Sequence, residues 1–344
     1  MTKTKTLLVG TGFWAEQHLK AYQLCKKTIV SGIVGHSNKK RLEELATNYN
    51  ISSFFFDTKE AIRKLEPDIV DIATSPVYRL EGVKAAVNSS VKLVNMEKPM
   101  ALFPSEAKNI EKICLKNNLL LTVNHQKKFN KPWAEAAKII KKGTLGRILF
   151  FRATCRGNML EQGTHLVDML LFFNNYTPIK WVMAQTADFD GFKKPKTPAP
   201  DSVSALIQFD NETPAYLTIG NIGWPIDKET NKWFHMAVEA YGSKGHLRIS
   251  LNQTMELNIY GKKTLVTSSK WDDTYLQGLA DHFDAASAYA MNPEKKHISC
   301  LKNSIMSFEA IMAMYKSSAL GDRIMLPTEL DDLIIDIIKK RAGM

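Results

Sequence analysis

The sequence is poor in cysteine and contains no long apolar run. Its four cysteines, among 344 residues, lie far apart and lack the spacing of metal or redox sites, so we expect reduced, structural thiols and no bound metal. No stretch approaches the roughly 20 apolar residues that a membrane-spanning helix needs. The first residues pass into a strand-like run without a signal-peptide core, which predicts a cytoplasmic protein without a membrane partner.

Acidic residues are outnumbered by basic ones, and the formal net charge is +11 at pH 7. The lysines are scattered, often in pairs such as Lys141-Lys142, and no basic helix, zinc finger or aromatic-studded sheet organises them. We therefore expect a solvated basic surface and no nucleic-acid partner. A second interpretation is that the positive field attracts an anionic cofactor and a phosphorylated or carboxylated substrate.

The first third of the chain alternates regularly between strand-like and helical patterns. Such an alternation predicts a doubly wound parallel sheet, and we expect an α/β Rossmann domain over residues 1–124. Because 344 residues are too many for one ordinary core, a second domain should follow. Strands are predicted at 5–9, 28–34, 53–56, 68–73, 91–96 and 119–124, and helices at 39–49, 58–64, 77–88 and 104–116.

A glycine-containing turn joins the first strand to the first helix. Gly10 permits a tight turn, Gly12 lets the backbone approach a pyrophosphate, and Ala15 is small enough for the helix to pack on the strand. Glycines in a turn are often only turn residues, but a helix N-terminus at this place favours a dinucleotide site. The residues of this loop assigned to the cofactor are Gly10, Thr11, Gly12, Phe13, Trp14 and Ala15.

Three further segments follow later strands of the predicted sheet. Since doubly wound sheets bind ligands outside the carboxyl ends of their strands, these segments should share a cleft with Gly10. Pro99 restricts Lys98 to an extended conformation, so the lysine should leave a rigid platform; the alternative is a surface lysine at a strand end. The residues of these segments assigned to the cofactor are Thr74, Ser75, Pro76, Glu97, Lys98, Asn124 and Gln126.

In the second half of the chain, strands follow one another without crossover helices. Runs at 145–155, 179–187, 203–209, 215–221, 235–241, 246–250 and 255–260 predict an α+β domain over residues 125–344 with a large, mainly antiparallel open sheet. We expect this domain to bind substrate and to form a homo-oligomer, because an apolar sheet face must be covered. Helices at 275–291 and 300–318 should return to the first domain.

One segment of this half carries Glu161, His165 and Asp168 at helical spacing. If the segment is helical, these side chains share a face and can aim an imidazole into a cleft. The alternative is a core or capping histidine with a routine carboxylate neighbour.

Together these motifs resemble the glucose-fructose oxidoreductase, inositol dehydrogenase and MocA family (Gfo/Idh/MocA). The resemblance implies hydride transfer between a nicotinamide and a carbinol or carbonyl carbon of a sugar, sugar derivative or cyclitol. It also implies that Lys98 is the catalytic lysine and His165 the catalytic histidine, and that the oligomer is a homodimer or homotetramer. The matching motifs, in the order of the family, lie at residues 10–15, 73–76, 97–99, 123–129, 143–148, 163–168 and 241–245.

Hydride chemistry accounts for these residue types. Oxidation of an alcohol needs a base for the hydroxyl proton, which suits neutral His165, and a cation for the developing negative oxygen, which suits Lys98. Glu161 stands where well-studied members of the family carry Asp, and we expect it to contribute to catalysis and substrate binding. The connection that contains Arg156 is shorter than the substrate loop of many relatives, which leaves the substrate open. The predicted substrate residues are Lys98, Arg156, Glu161 and His165.

The end of the second strand bears on the choice between NAD and NADP. Residues 35–41 contain no carboxylate to hold the ribose 2′-OH of NAD, and polar and cationic side chains are available for a 2′-phosphate. We therefore expect NADP rather than NAD, with His36 and Ser37 at the ribose, although the lysines could equally form the solvated first turn of the next helix. Two other functions stay open: a glycosidase that uses NAD for transient oxidation, and a non-enzymatic cofactor-binding regulator.

Overall fold

Two compact units make up the chain. The computed structural model describes residues 3–194, 196–226, 228–252, 255–267, 270–341 and 343. The first unit runs to Phe129 and includes Tyr275–Ile305, and the second comprises Asn130–Thr274 and the residues from Met306 onward.

The first unit is built on a parallel sheet flanked by helices. The strands are β1 (Thr4–Val9), β2 (Thr28–Val34), β3 (Phe54–Phe55), β4 (Ile69–Ile72), β5 (Leu93–Glu97) and β6 (Leu120–Asn124). The helices are α1 (Phe13–Tyr22), α2 (Lys39–Asn48), α3 (Thr58–Leu65), α4 (Arg79–Ala86) and α5 (Pro104–Lys116). The strand order is β3-β2-β1-β4-β5-β6, with every pair parallel. This is the doubly wound Rossmann order, so the predicted fold class of this half is confirmed.

Helices cover the sheet of the first unit because its central strands are apolar on both faces. Leu7 and Leu8 are adjacent in β1 and point to opposite faces, yet both are fully buried. The part of the chain from Tyr275 also contributes here, since Leu279 and Phe283 pack in one apolar cluster with Tyr22 of α1.

The second unit contains a mixed, mostly antiparallel sheet. In the described residues it has nine strands, in the order β14-β13-β12-β11-β7-β10-β9-β8-β15, and only the pair of β7 and β10 is parallel. The predicted mainly antiparallel sheet is therefore confirmed. The strands are β7 (Ile148–Cys155), β8 (Ile179–Ala187), β9 (Ser202–Phe209), β10 (Pro214–Gly220), β11 (Met236–Gly242), β12 (Gly245–Ser250), β13 (Met255–Ile259), β14 (Lys262–Thr267) and β15 (Ile324–Met325).

Five helices complete the part of the chain that is described. They are α6 (Lys131–Lys141), α7 (Thr164–Phe173), α8 (Trp271–Met291), α9 (Leu301–Leu320) and α10 (Leu333–Arg341). The end of α9 is tied to β8, because the hydroxyls of Ser317 and Ser318 accept hydrogen bonds from the backbone N–H groups of Ala184 and Thr186. No helix in the described ranges is long and apolar enough to cross a membrane.

Many predicted element boundaries differ from the structure by one to four residues, and two of these differences have a clear local cause. β7 begins at Ile148 rather than at 145, because Gly146 adopts φ +74° in a turn where an added Cβ would lie 2.3 Å from Ser243 Oγ. The helix predicted at 77–88 is a 3₁₀ turn over Pro76–Tyr78 followed by α4, and the chain leaves the helical conformation at Val87.

Candidate active site

The glycine loop after β1 crosses the carboxyl ends of its two neighbouring strands. Gly10 has φ +131°, and an added Cβ would lie 2.7 Å from the carbonyl oxygen of Ala73, so only glycine fits. Gly12 precedes α1, and nothing lies within 4 Å of the position its Cβ would occupy. Phe13 and Trp14 are 67% and 41% exposed, whereas Ala15 is fully buried against the sheet. The backbone at the start of α1 is therefore open to a ligand.

The residues after β2 are partly used within the protein. The side chain of Asn38 accepts a hydrogen bond from Arg41 N and caps α2, and Arg41 pairs with Glu16 of α1. His36 Nδ1 lies 3.0 Å from the carbonyl oxygen of Phe56. Ser37 is exposed. His36 and Ser37 thus lie just after the end of β2.

Beneath the predicted cofactor loops lies a buried charged network centred on His18 of α1. His18 Nδ1 lies 2.8 Å from Asp71 Oδ2 in β4, and His18 Nε2 lies 2.9 Å from Glu97 Oε1 at the end of β5. Asn124 Nδ2 also donates to the Glu97 carboxylate. Tyr22 donates its hydroxyl to Asp71, again at 2.9 Å. Glu97 therefore faces the protein interior and fixes the end of β5.

The opposite charges of His18 and Glu97 stabilise each other. Burial opposes the charged form of His18, but the neighbouring carboxylates of Asp71 and Glu97 outweigh it and raise the pKa of His18 to about 10. Burial alone would raise the pKa of Glu97, but the bond from His18 and the nearby cations bring that pKa below its ordinary value. His18 is therefore an imidazolium at neutral pH that donates to both carboxylates.

The network extends across the sheet through polar side chains. Asn95 of β5 donates to Asp71 Oδ1 at 2.7 Å and accepts from Thr122 of β6 at 2.8 Å. His282 of α8 lies 2.9 Å from the same Asn95 oxygen, and burial holds the pKa of His282 well below its ordinary value. The neutral imidazole of His282 therefore donates to Asn95.

Arg79, the first residue of α4, links two of the predicted segments. Its Nη2 donates to the carbonyl oxygen of Thr74 at 3.3 Å and to that of Lys98 at 3.2 Å. Arg79 is only 2% exposed, and burial lowers its pKa to about 10. Its Nε and Nη1 have no hydrogen-bond partner among the described residues. Lys98 itself is half-buried, and the Lys98–Pro99 peptide is cis.

The first unit brings most of the predicted cofactor residues to one edge of its sheet. Gly10 touches the chain just before Thr74, Arg79 joins Thr74 to Lys98, and Glu97 joins Asn124. Asn124 and Gln126 are buried, and Asn124 Oδ1 and Gln126 Oε1 accept no hydrogen bond from the described part of the protein.

In the second unit, Glu161 and His165 lie on two different kinds of helical turn. Glu161 belongs to a π-helical turn, Met159–Gly163, and His165 to α7, which continues from it. The Glu161 carboxylate accepts from the backbone N–H of Asn158 and from Lys194 Nζ, both at 3.0 Å. It therefore caps its own turn and forms an ion pair.

The second half of this segment is buried. His165 is 4% and Asp168 1% exposed. Asp168 accepts from the hydroxyls of Tyr176 and Ser307, each at 3.3 Å. Asp168 thus serves to join α7 to α9 within the second unit, whereas Arg156 lies at the end of β7 and is half-buried.

Sequence reasoning missed His18, Asp71, Asn95 and Arg79. A signal for three of them was present, because Asp71 and Asn95 interrupt otherwise apolar strands and pair in register across β4 and β5. Buried polar residues in adjacent strands require partners, and the nearest helix supplies His18. No group of three or more His, Cys, Asp or Glu side chains suited to a metal ion occurs within the described residues.

Sequence profiles assign both halves of the chain to one family. Residues 4–125 match GFO_IDH_MocA, the oxidoreductase family with an NAD-binding Rossmann fold, and residues 133–248 match the GFO/IDH/MocA C-terminal domain. The chain belongs to the Gfo/Idh/MocA family. The predicted family and the oxidoreductase class are therefore confirmed at the level of the family.

Two other proteins are similar in sequence to this Gfo/Idh/MocA chain. An uncharacterised oxidoreductase from Synechocystis is 26% identical over 151 residues, which is 43% of this chain and 40% of that protein. The match thus spans about two fifths of that relative. A D-apiose dehydrogenase from Rhizobium rhizogenes is 21% identical over 268 residues, covering 75% of this chain and 76% of the relative.

A solved structure agrees with the fold. An oxidoreductase from Agrobacterium radiobacter, in complex with NAD⁺, L-tartaric acid and magnesium, superposes with a TM-score of 0.82 over 94% of this chain and 98% of its own, at 18% identity. At 18% sequence identity, this structural similarity supports the Gfo/Idh/MocA fold alone.

Proposed function

We propose that this protein is an NAD(P)-dependent dehydrogenase or reductase that transfers a hydride between a nicotinamide cofactor and a carbinol or carbonyl carbon of a sugar, sugar derivative or cyclitol. The supporting observation is the anchored lysine. Arg79 holds the carbonyl oxygen of Lys98, and the preceding residue, Glu97, is fixed in the His18 network. Such anchoring suits a catalytic group, which must be placed within roughly 0.5 Å of its working position.

The fit of a dinucleotide rests on the loop after β1. Gly10 and Gly12 leave the backbone bare where α1 begins, so that N–H groups of the first helical turn can hold a pyrophosphate. Asn124 Oδ1 and Gln126 Oε1, which accept nothing from the described residues, suit donor groups of a ligand. The bound nicotinamide supplies the hydride acceptor or donor.

Lys98 and His165 have separate roles in the proposed reaction. The Lys98 ammonium stabilises negative charge on the substrate oxygen, and His165 removes the hydroxyl proton during oxidation and returns it during reduction. Glu161 and Arg156 are assigned to substrate binding and orientation. The domain roles follow the same proposal: the first domain holds the cofactor, and the second binds substrate.

NADP is the preferred cofactor in this proposal. Residues 35–41 contain no carboxylate that would repel a 2′-phosphate. Since Asn38 and Arg41 are engaged in capping and ion pairing, Ser37 and Lys40, which are exposed, are the candidates to bind that phosphate. The ratio of kcat/KM for NADP and NAD measures the preference, and Lys40→Gln should shift it towards NAD.

We also propose a homo-oligomer in which a second copy covers the outer face of the nine-stranded sheet. Met183, Leu206 and Tyr216 are cross-strand neighbours on this face, and the first two are 50% and 45% exposed. Light scattering of the wild type and of Leu206→Arg tests this arrangement, with dissociation expected for the variant. A cytoplasmic location stays a prediction.

A substrate panel tests the activity. Sugars including D-apiose, cyclitols and sugar phosphates would be assayed with both cofactors by nicotinamide absorbance. Substrate-dependent reduction of the cofactor supports a dehydrogenase. Glycoside cleavage without net reduction would instead indicate a glycosidase, and cofactor binding without turnover of any compound would indicate a regulator.

A further inference from the structure

A cavity in the second unit is lined by three basic side chains. It has a volume of about 210 Å³, and Arg156, Lys194 and Lys232 contribute to its wall together with Asp201 and Asn221. This volume is far above the roughly 10–15 Å³ that a cavity needs in order to hold one water molecule. We call it the Arg156 cavity. It can hold a small charged group and the atoms that carry it.

Two carboxylates, Glu161 and Asp201, contact one of the three bases of the Arg156 cavity. Lys194 Nζ lies 3.0 Å from Glu161 Oε2 and 3.5 Å from Asp201 Oδ1. Within the described ranges, no carboxylate forms an ion pair with Arg156 or Lys232. These two cations of the wall can therefore pair with an anionic ligand.

The two remaining bases are held by groups that leave their charge intact. Arg156 Nε donates to the carbonyl oxygen of Gly223 at 3.4 Å, and the Lys232 ammonium lies 4.6 Å from the ring centroid of Trp233. Burial, together with the Arg156 charge, lowers the pKa of His235, so the positive charge near the cavity comes from Arg156 and the lysines and not from His235.

Glycines shape the wall of the Arg156 cavity. Gly157 has φ +92°, and an added Cβ would lie 3.0 Å from Trp233 Cζ3; Gly220 has φ +84°, and an added Cβ would overlap the carbonyl oxygen of Asp201. Neither position tolerates a side chain, so the backbone segments after β7 and β10 approach their neighbours closely and leave the basic groups accessible.

An ion pair connects the cavity to the proposed catalytic helix. Glu161, which contacts Lys194 in the cavity wall, lies four residues before His165 on the continuous π- and α-helical segment. An anion in the cavity would thus lie beside a residue assigned to substrate binding.

We propose that the Arg156 cavity binds an anionic group of the substrate, a phosphate or a carboxylate, so that the preferred substrate is an acidic derivative of a sugar or cyclitol. This inference rests on the proposed function. Arg156 supplies a planar, charged donor that matches either anion, and Lys232 supplies a second positive charge.

A binding measurement tests the cavity independently of turnover. Inorganic phosphate and, separately, acetate would be titrated while tryptophan fluorescence is recorded, with Trp233→Phe used to assign the signal. Arg156→Gln and Lys232→Gln should each weaken binding roughly tenfold to a hundredfold, as expected for the loss of a charge-assisted hydrogen bond. Lys262→Gln, an exposed lysine on β14, is the matched control and should bind like the wild type.

A kinetic measurement then tests the substrate class. The ratio of kcat/KM for phosphorylated or carboxylated substrates to that for their neutral counterparts should be well above one and should fall in both cavity variants. The anion that binds more tightly, and whose substrates give the higher ratio of kcat/KM, identifies the group. Binding that is equal in the wild type, Arg156→Gln and Lys232→Gln would overturn the inference, as would a ratio near one.

The two proposals fail in distinguishable ways. If no compound is turned over, the proposed function is wrong. The phosphate and acetate titrations then still show whether the cavity binds an anion. If neutral sugars are oxidised as well as acidic ones, the dehydrogenase assignment stands and the anion site is refuted. Should Arg156→Gln not fold, Lys232→Gln decides alone, because its exposed side chain carries little of the fold.

Discussion

Arg79 fixes the backbone of Lys98. Its buried guanidinium donates a hydrogen bond to the Lys98 carbonyl oxygen and, from the same nitrogen, to the Thr74 carbonyl oxygen. Both bonds are made to backbone oxygens, so they restrain the chain from which the lysine side chain projects. Arg79 therefore acts as a positioning residue for Lys98 in the proposed reaction.

Arg79→Gln should lower kcat by roughly tenfold to a hundredfold, because a small displacement of a catalytic group has effects of this order. The KM for substrate should change less. Arg79→Lys retains the charge and one donor and should recover part of the rate. Steady-state kinetics over a range of pH measures both effects, since a displaced Lys98 would also alter the pH profile of kcat.

The matched control for Arg79 is Arg63→Gln, which removes an exposed arginine of α3 in the same unit. Wild-type kcat and an unchanged pH profile in both Arg79 variants, with the fold intact by circular dichroism, would contradict a positioning role.

The His18 network predicts a stability that depends on pH. His18→Asn leaves Asp71 and Glu97 buried without their countercharge and should cost about 3–5 kcal/mol of unfolding free energy at pH 6. The folded-state pKa of His18, about 10, is above its ordinary 6.5. The stabilisation from this group is therefore fully present below pH 6.5 and is lost as pH rises through 10.

Urea denaturation of the wild type and His18→Asn at pH 6 and pH 10 measures this difference. The free-energy gap should narrow at the higher pH, while His36→Asn, on the surface, should change stability by less than about 0.5 kcal/mol at both. A gap that is the same at pH 6 and pH 10 would show that His18 is not charged in the folded protein.

Glu161 has a capping role and a proposed substrate role, and one substitution separates them. Glu161→Gln keeps an oxygen that can accept from Asn158 N but removes the charge beside Lys194. We expect a stability change below about 1 kcal/mol, since capping bonds are of that size, and at least a roughly tenfold drop in kcat/KM. Thermal denaturation and kinetics on the same sample test this; an unchanged kcat/KM would restrict Glu161 to capping.

His165→Asn should lower kcat by roughly 10²- to 10⁴-fold, the usual contribution of a positioned general base. His165 is nearly buried, so circular dichroism must accompany the kinetics. A folded variant with wild-type kcat would favour the alternative reading of His165 as a core histidine.

Much of the fold could be predicted because local pattern and tertiary environment agree. The bounds predicted for β2, α5 and β8 match the structure, since each element has a clear apolar period and a polar or proline boundary. β14 was missed because it begins with Lys262-Lys263 and its side chains are largely exposed, and β15 because its two residues form a strand only by pairing with β8.

The site was less accessible to sequence reasoning. The glycine loop and Lys98 carry local signals, whereas the parallel pairing of β7 with β10 and the bonds of Arg79 depend on contacts between distant segments. Glu97 shows the difference most clearly: it was assigned to the cofactor from its place in the chain, and its carboxylate contacts His18 and Asn124 in the interior.

The most direct test of the account is a parallel measurement of cofactor binding and turnover in Lys98→Met, which keeps the aliphatic side chain and removes the charge. We predict dinucleotide affinity close to that of the wild type, because the loop after β1 is unchanged, and a kcat lowered by roughly 10²- to 10³-fold or more, as for the loss of an oxyanion-stabilising group. A folded Lys98→Met protein that binds the cofactor and oxidises its substrate at the wild-type rate would contradict the central claim.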